Sequence, residues 1–147
     1  MNIRQITPSY AVSPQIDVSD VPGIAASGFS AIICNRPDDE VAPDQASAAI
    51  RAAAEAAGLA FHDNPVSNGG LGAPQIAAQA QVLAEADGPV LAYCRSGTRS
   101  CFVWAFGAAE TTEVQKIVEA AARAGYDLSP VAGQLAAIGQ AHRDGPA

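Results

Sequence analysis

Two regimes of hydrophobic patterning alternate along this chain. Compact apolar runs, each followed by loop-forming residues, are separated by longer stretches whose apolar positions recur at helical spacing. The compact runs are Phe29-Ser30-Ala31-Ile32-Ile33-Cys34, Leu59-Ala60-Phe61-His62 and Val90-Leu91-Ala92-Tyr93-Cys94. The first and last of these predict buried strands, as in a parallel sheet, and Leu59–His62 predicts a further strand leading into the loop that follows. Near the N-terminus, Ile3-Arg4-Gln5-Ile6 and Tyr10-Ala11-Val12-Ser13 flank Thr7-Pro8-Ser9, which predicts a hairpin. Helices are predicted over 21–26, capped by Asp17 or Ser19 and stopped by Gly28, and over 44–57, after Pro43 and before Gly58. A third spans about 74–86, with Ile76, Ala80 and Leu83 on one stripe and Gly88-Pro89 as its break. Three more begin near Thr98, Thr112 and Pro130. Strands alternating with helices, then helices alone, predict an α/β fold: a central, mostly parallel sheet flanked by helices. Without internal repeats or a low-complexity linker, the chain reads as a single domain over 1–147.

Composition narrows the partners. Hydrophobic residues make up 49% of the 147 residues and charged ones 16%, the balance of a globular chain. Aromatics are only 5%, so closely approaching Ala-rich helices replace a large aromatic core; Phe102, Val103, Trp104 and Phe106 read as core packing of the helix after Thr98. Eight basic residues face fifteen acidic ones, a net charge of −7, and Lys116 is the one lysine. No basic stripe can follow a phosphate backbone, so nucleic acid is not an expected partner, and any anion must be held by local geometry. The uncharged stretch 65–84 is broken by Asn, Gly, Gln and Pro and does not read as a membrane span. With no apolar leader and three cysteines, the expected setting is the reducing cytoplasm. No metal-ligand spacing or nucleotide fingerprint appears, so neither a metal nor a cofactor is expected.

The chemistry concentrates in Tyr93-Cys94-Arg95-Ser96-Gly97-Thr98-Arg99-Ser100, where a buried strand passes through a short loop into a helix. Such a loop points successive backbone N–H groups into one concavity, and the helix N-terminus adds about half a positive charge. Arg99 can close over the same point with its planar fork. Cys94 at the rim is the candidate nucleophile, because amides, dipole and guanidinium all stabilise a sulfur anion. Arg95, Ser96, Gly97, Thr98 and Ser100 are the candidate anion-binding residues, with Arg36 as a second cation. The bland alternative is a cysteine that merely ends a core strand. Arg36 follows a buried strand, where α/β sheets place ligand loops; it either joins the anion site or pairs at the surface with Asp38 or Asp39. His62 reads as a structural residue at a strand end, His142 is assigned nothing, and Cys34 and Cys101 read as small core residues.

Cys-Arg-Ser-Gly-Thr-Arg-Ser resembles the active-site loop of rhodanese-type sulfurtransferases, in which four residues separate Cys from Arg; cysteine-dependent tyrosine phosphatases have five. The wider pattern resembles another family. Tyr-Ala-Val-Ser-x-Gln-Ile (10–16), Asn-Arg-Pro-Asp (35–38) and Pro65-Val66, followed by Pro-Val-Leu-Ala-Tyr-Cys-Arg-Ser-Gly-Thr-Arg-Ser, are similar to the beta-lactamase hydrolase-like protein N-terminal domain. The resemblance covers about residues 1–110 and implies the fold of dual-specificity phosphatases; some members are fused to a persulfide-dioxygenase-like metallo-hydrolase, which implies such a partner.

Three functions follow. The leading expectation is a sulfurtransferase, in which Cys94 takes sulfane sulfur from thiosulfate or a low-molecular-weight persulfide and passes it to a thiol acceptor. The second is a phosphatase forming a phosphocysteine, and the third a silent anion-binding module. The resemblance implies an acid for the phosphatase on the loop after Phe61. Asn68 stands near that position and cannot donate a proton, while Asp63 has the wrong spacing. The histidine usual before the nucleophile is Tyr93 here.

Overall fold

The computed structural model describes residues 2–67 and 71–144. Its sheet has five strands: β1 (Arg4–Thr7), β2 (Tyr10–Ser13), β3 (Ala31–Cys34), β4 (Ala60–Asp63) and β5 (Val90–Tyr93). Their order is β1-β2-β5-β3-β4, with β1 antiparallel to β2 and every other pair parallel. The sheet is the mixed, mostly parallel one that the apolar runs predict.

Register decides where loops meet. Ser13 and Cys34 both lie opposite Tyr93, the last residue of the central strand. Three strands therefore stop at one level, and the segments after β2, β3 and β5 emerge side by side at the carboxyl edge. That edge is where open α/β sheets hold ligands.

Alternation along the strands divides the core. Val12, Ile33 and Ala92 face one side, beneath α3 (Ala73–Glu85), α4 (Thr98–Ala108), α5 (Val114–Arg123) and α6 (Ala132–Asp144), and pack with Trp104, Ile117 and Leu135. Ala11, Ile32, Leu91 and Tyr93 face the other, beneath α1 (Val21–Ala26) and α2 (Ser47–Ala56), and pack with Ile24 and Ile50. Burial on both faces explains the unbroken apolar runs, and each Ile or Leu so buried stabilises the fold by about 1.5–3 kcal/mol.

Boundaries shift where side chains intervene. α2 begins at Ser47 rather than Asp44, because Pro43–Gln45 forms a 3-10 turn and Ala46 is extended. Asp38 then caps the helix, accepting from the Ser47 N–H at 2.8 Å and its hydroxyl at 2.9 Å. The residue at the start of α1 is Asp20, not Asp17 or Ser19; its carboxylate accepts the Asp17 N–H at 2.9 Å. Among the described residues no helix is long and apolar enough to cross a membrane.

Candidate active site

Cys94 follows β5 directly. Its N–H donates to the Ser13 carbonyl at 3.4 Å, which extends the ladder by one residue, and the side chain is fully buried. The chain then turns through exposed Arg95 and Ser96 to Gly97, whose φ of 93° is left-handed. This conformation returns the Gly97 N–H toward the sulfur, to which it donates at 3.1 Å. Glycine is required here on two counts. A left-handed φ costs other residues energy, and a Cβ would overlap the Tyr126 hydroxyl, which donates to the Ser96 carbonyl at 3.0 Å. The Ser96 hydroxyl donates to Thr98 Oγ1 at 2.9 Å and accepts the Thr98 N–H at 3.4 Å, securing the first turn of α4.

Over this loop lies a cavity of about 420 Å³ lined by Arg36, Glu40, Arg95, Ser96, Thr98 and Arg99. Three guanidiniums thus face one carboxylate, a local positive balance inside an acidic chain. The structure gathers five of the residues singled out in the sequence around this cavity; Cys94, expected at the rim, is instead fully buried beneath the loop, and neither it nor Gly97 lines the cavity. Ser100 departs from that group: it is fully buried on α4, its carbonyl accepts from the Tyr10 hydroxyl at 2.7 Å, and it does not line the cavity.

Glu40 is the residue that sequence reasoning missed. Arg99 Nη1 donates to Glu40 Oε2 at 2.9 Å and to the Val66 carbonyl at 2.7 Å, while Nη2 donates to Glu40 Oε1 at 2.7 Å. Arg36 does not pair with Asp38 or Asp39. Its Nε donates to Glu40 Oε1 at 3.3 Å, Nη2 to the Glu40 carbonyl at 3.0 Å and Nη1 to Gln15 Oε1 at 3.2 Å. The i,i+4 spacing of Arg36 and Glu40 was a usable signal. The 59-residue step from Glu40 to Arg99 was not. Hydrogen bonds from Arg99 hold the Glu40 carboxyl below the usual carboxylate range, with a smaller push from Arg36. In return Glu40 raises the Arg99 pKa, and the nearby Cys94 sulfur contributes in the same sense.

Asn35 ties the neighbouring loops together. It is buried, its Nδ2 donates to the Asn64 carbonyl and to Gln79 Oε1, both at 2.9 Å, and its carbonyl accepts the Val66 N–H at 2.9 Å. The Val66 carbonyl is thereby fixed where Arg99 meets it.

The other thiols are set apart. Cys34 donates to the Arg36 carbonyl at 3.3 Å, and burial pushes it up to about 11. Burial pushes Cys101 up to about 12. Tyr93 packs in the cluster that holds Cys34, and burial drives its phenol far above the ordinary value. Asp63 is exposed at the end of β4 and does not line the cavity; His62 lines a different one, of about 210 Å³, with Ser30, Glu85 and Asp87. Asn68 lies outside the described residues.

Known proteins share the sequence pattern and the fold. Residues 2–111 match the family model of the beta-lactamase hydrolase-like protein, phosphatase-like domain. The beta-lactamase hydrolase-like protein of Agrobacterium fabrum is 33% identical over 130 residues, covering 87% of this chain and 30% of that protein. The Xylella fastidiosa protein of the same name is 34% identical over 105 residues, 71% of this chain and 24% of that one. The chain thus spans less than a third of these relatives. A crystal structure of a candidate phosphatase from Neisseria meningitidis is 36% identical and superposes with a TM-score of 0.81 over 94% of this chain and 99% of that one. Pseudomonas aeruginosa TpbA, solved with phosphotyrosine, shares the fold at 16% identity, with a TM-score of 0.66 over 98% of this chain and 91% of that one. By sequence and by architecture, the chain belongs to the phosphatase-like domain family of beta-lactamase hydrolase-like proteins.

Proposed function

We propose that this chain is a cysteine-dependent phosphoric monoester hydrolase. The supporting observation is the junction of Cys94, the Gly97 amide 3.1 Å from its sulfur and Arg99 beside a cavity carrying three guanidiniums. The Cys94 thiolate attacks phosphorus, an S–P bond forms and the ester P–O bond breaks, and the leaving oxygen takes a proton from water. Water then attacks the phosphocysteine, releasing inorganic phosphate and restoring the thiolate. Loop amides, the α4 N-terminus and Arg99 stabilise charge on the phosphoryl oxygens throughout. The sequence ranks this second to sulfur transfer; the phosphatase-like family and the phosphatase-type neighbours reverse that order.

One observation favours sulfur transfer as the second reading. Four residues, not five, lie between Cys94 and Arg99, and the only carboxyl lining the cavity among the described residues is Glu40, held ionised by two arginines. An ionised carboxylate cannot protonate a leaving alkoxide, whereas a sulfane sulfur departs without such help.

Mass spectrometry separates the two. An aryl phosphate should add about 80 Da to Cys94 in a quenched reaction as the phosphocysteine, and Cys94→Ser should abolish turnover. Arg99→Lys should lower kcat/KM by roughly a hundredfold, since a point cation cannot make the two-pronged contact. A Cys94 that gains only about 32 Da from thiosulfate or a persulfide, and nothing from any ester, would replace the phosphatase with the sulfurtransferase.

A further inference from the structure

A guanidinium carries five N–H donors, and their allocation in Arg99 is legible. Both Nη1 hydrogens are committed, one to Glu40 Oε2 and one to the Val66 carbonyl. One Nη2 hydrogen goes to Glu40 Oε1. Because the carboxylate spans Nη1 and Nη2 together, it takes the outer end of the fork. Among the described residues the two donors that hold neither Glu40 nor Val66, Nε–H and the second Nη2–H, lie side by side along the adjacent edge, the guanidinium having the Cys94 sulfur nearby. That pair forms a complete bidentate grip for one oxyanion.

Glu40 is itself braced. Arg36 holds its carboxylate and its backbone carbonyl, and Gln15 holds Arg36. Both arginine side chains are 14% exposed and Glu40 is 25% exposed, so their geometry is set by packing as well as by charge. Pulling Glu40 away would leave Arg36 largely buried without its acidic partner, a costly arrangement. A carboxylate so anchored serves as a fixture of the site rather than a plug to be displaced by each incoming substrate.

We propose that Glu40 is the positioning residue of this site, clamping the Nη1–Nη2 end of Arg99 so that its Nε–Nη2 edge is the one presented to a substrate oxyanion. Arg36 acts through Glu40, bracing the clamp. The proposal rests on the phosphate-ester reading for the identity of the oxyanion, but its test is a binding measurement that does not require turnover.

Inorganic phosphate is titrated into the wild-type protein, Glu40→Gln, Arg99→Ala and the double variant, with near-ultraviolet circular dichroism confirming the fold of each. Glu40→Gln should weaken phosphate about tenfold, which corresponds to about 1.4 kcal/mol. In the Arg99→Ala background the same change should weaken it no further, because the residue works through Arg99. An equal loss in both backgrounds would make Glu40 a general structural support and overturn the proposal. Unchanged affinity in Glu40→Gln would do so too, and tighter binding would show a carboxylate competing for the substrate's place. If Arg99→Ala does not fold, Arg99→Lys takes its place in the cycle. If the wild-type protein binds thiosulfate but not phosphate, the phosphatase reading fails, and the cycle read with thiosulfate judges Glu40 separately.

Discussion

Cys34, Cys94 and Cys101 place one functional group in three settings. All three are fully or almost fully buried, but among the described residues only the Cys94 sulfur receives an amide N–H and has a guanidinium beside it. Burial pushes Cys34 up to about 11 and Cys101 up to about 12, so both are neutral thiols at physiological pH. Cys34→Ser and Cys101→Ser should therefore keep kcat/KM within about twofold, while each new hydroxyl destabilises the core by about 1–3 kcal/mol. Steady-state rates and thermal melts check this, and a Cys34→Ser as inactive as Cys94→Ser would make Cys34 part of the chemistry. Glu40 sets the pH response. Its folded carboxyl lies below the unfolded value, so its stabilisation is complete above the unfolded pKa, about 4.3, and is lost as pH falls through the folded one. The gap in melting temperature between wild type and Glu40→Gln should be constant from pH 6 to 7 and close on further acidification below about pH 4. Cys94, Arg99 and Arg36 were legible in the sequence because each sits at a loop whose geometry the flanking pattern predicts. Glu40 was not, because its partner is 59 residues away and meets it only through strand order.

Elements were legible where both faces are buried. Ala31–Cys34 and Val90–Cys94 are apolar at every residue, and the strands β3 and β5 fall on them. Helix starts shifted where a distant side chain caps, as Asp38 does for Ser47. At the loop before α4, Gly97 carries both the left-handed turn and the space occupied by the Tyr126 hydroxyl. Gly97→Ala should cost about 1–2 kcal/mol for the backbone alone. For a chain of this size that lowers the melting temperature by roughly 3–8 °C, and the steric overlap adds to it. Adding Tyr126→Phe should recover part of the loss by removing the overlap while leaving the backbone strain. Equal melting temperatures for the single and double variants would mean that the hydroxyl does not crowd residue 97.

Across the whole molecule the site is a product of register. β2, β3 and β5 stop together, so Gln15, Arg36 with Glu40, and Cys94 with Arg99 arrive at one edge from three remote parts of the chain. No hydrophobic pattern encodes that ordering, which is why the sequence yields the sheet's class and not its neighbours. The C-terminal third contributes as well. Ile117, Leu128 and Leu135 are fully buried in the core that holds Trp104, and Arg4 Nη1 donates to the Ala124 carbonyl at 2.8 Å. Tyr126, the prop behind the nucleophile loop, lies in this region, fifteen residues past the end of the family match at 111. The family match and the buried core thus have different borders. A fragment of residues 2–111 keeps every side chain that lines the cavity yet should show no cooperative melt and bind phosphate at least tenfold more weakly than the full chain, about 1.4 kcal/mol. The family match stops short of part of the scaffold that makes the loop usable, so a gene trimmed to that match would encode the reagents without the vessel.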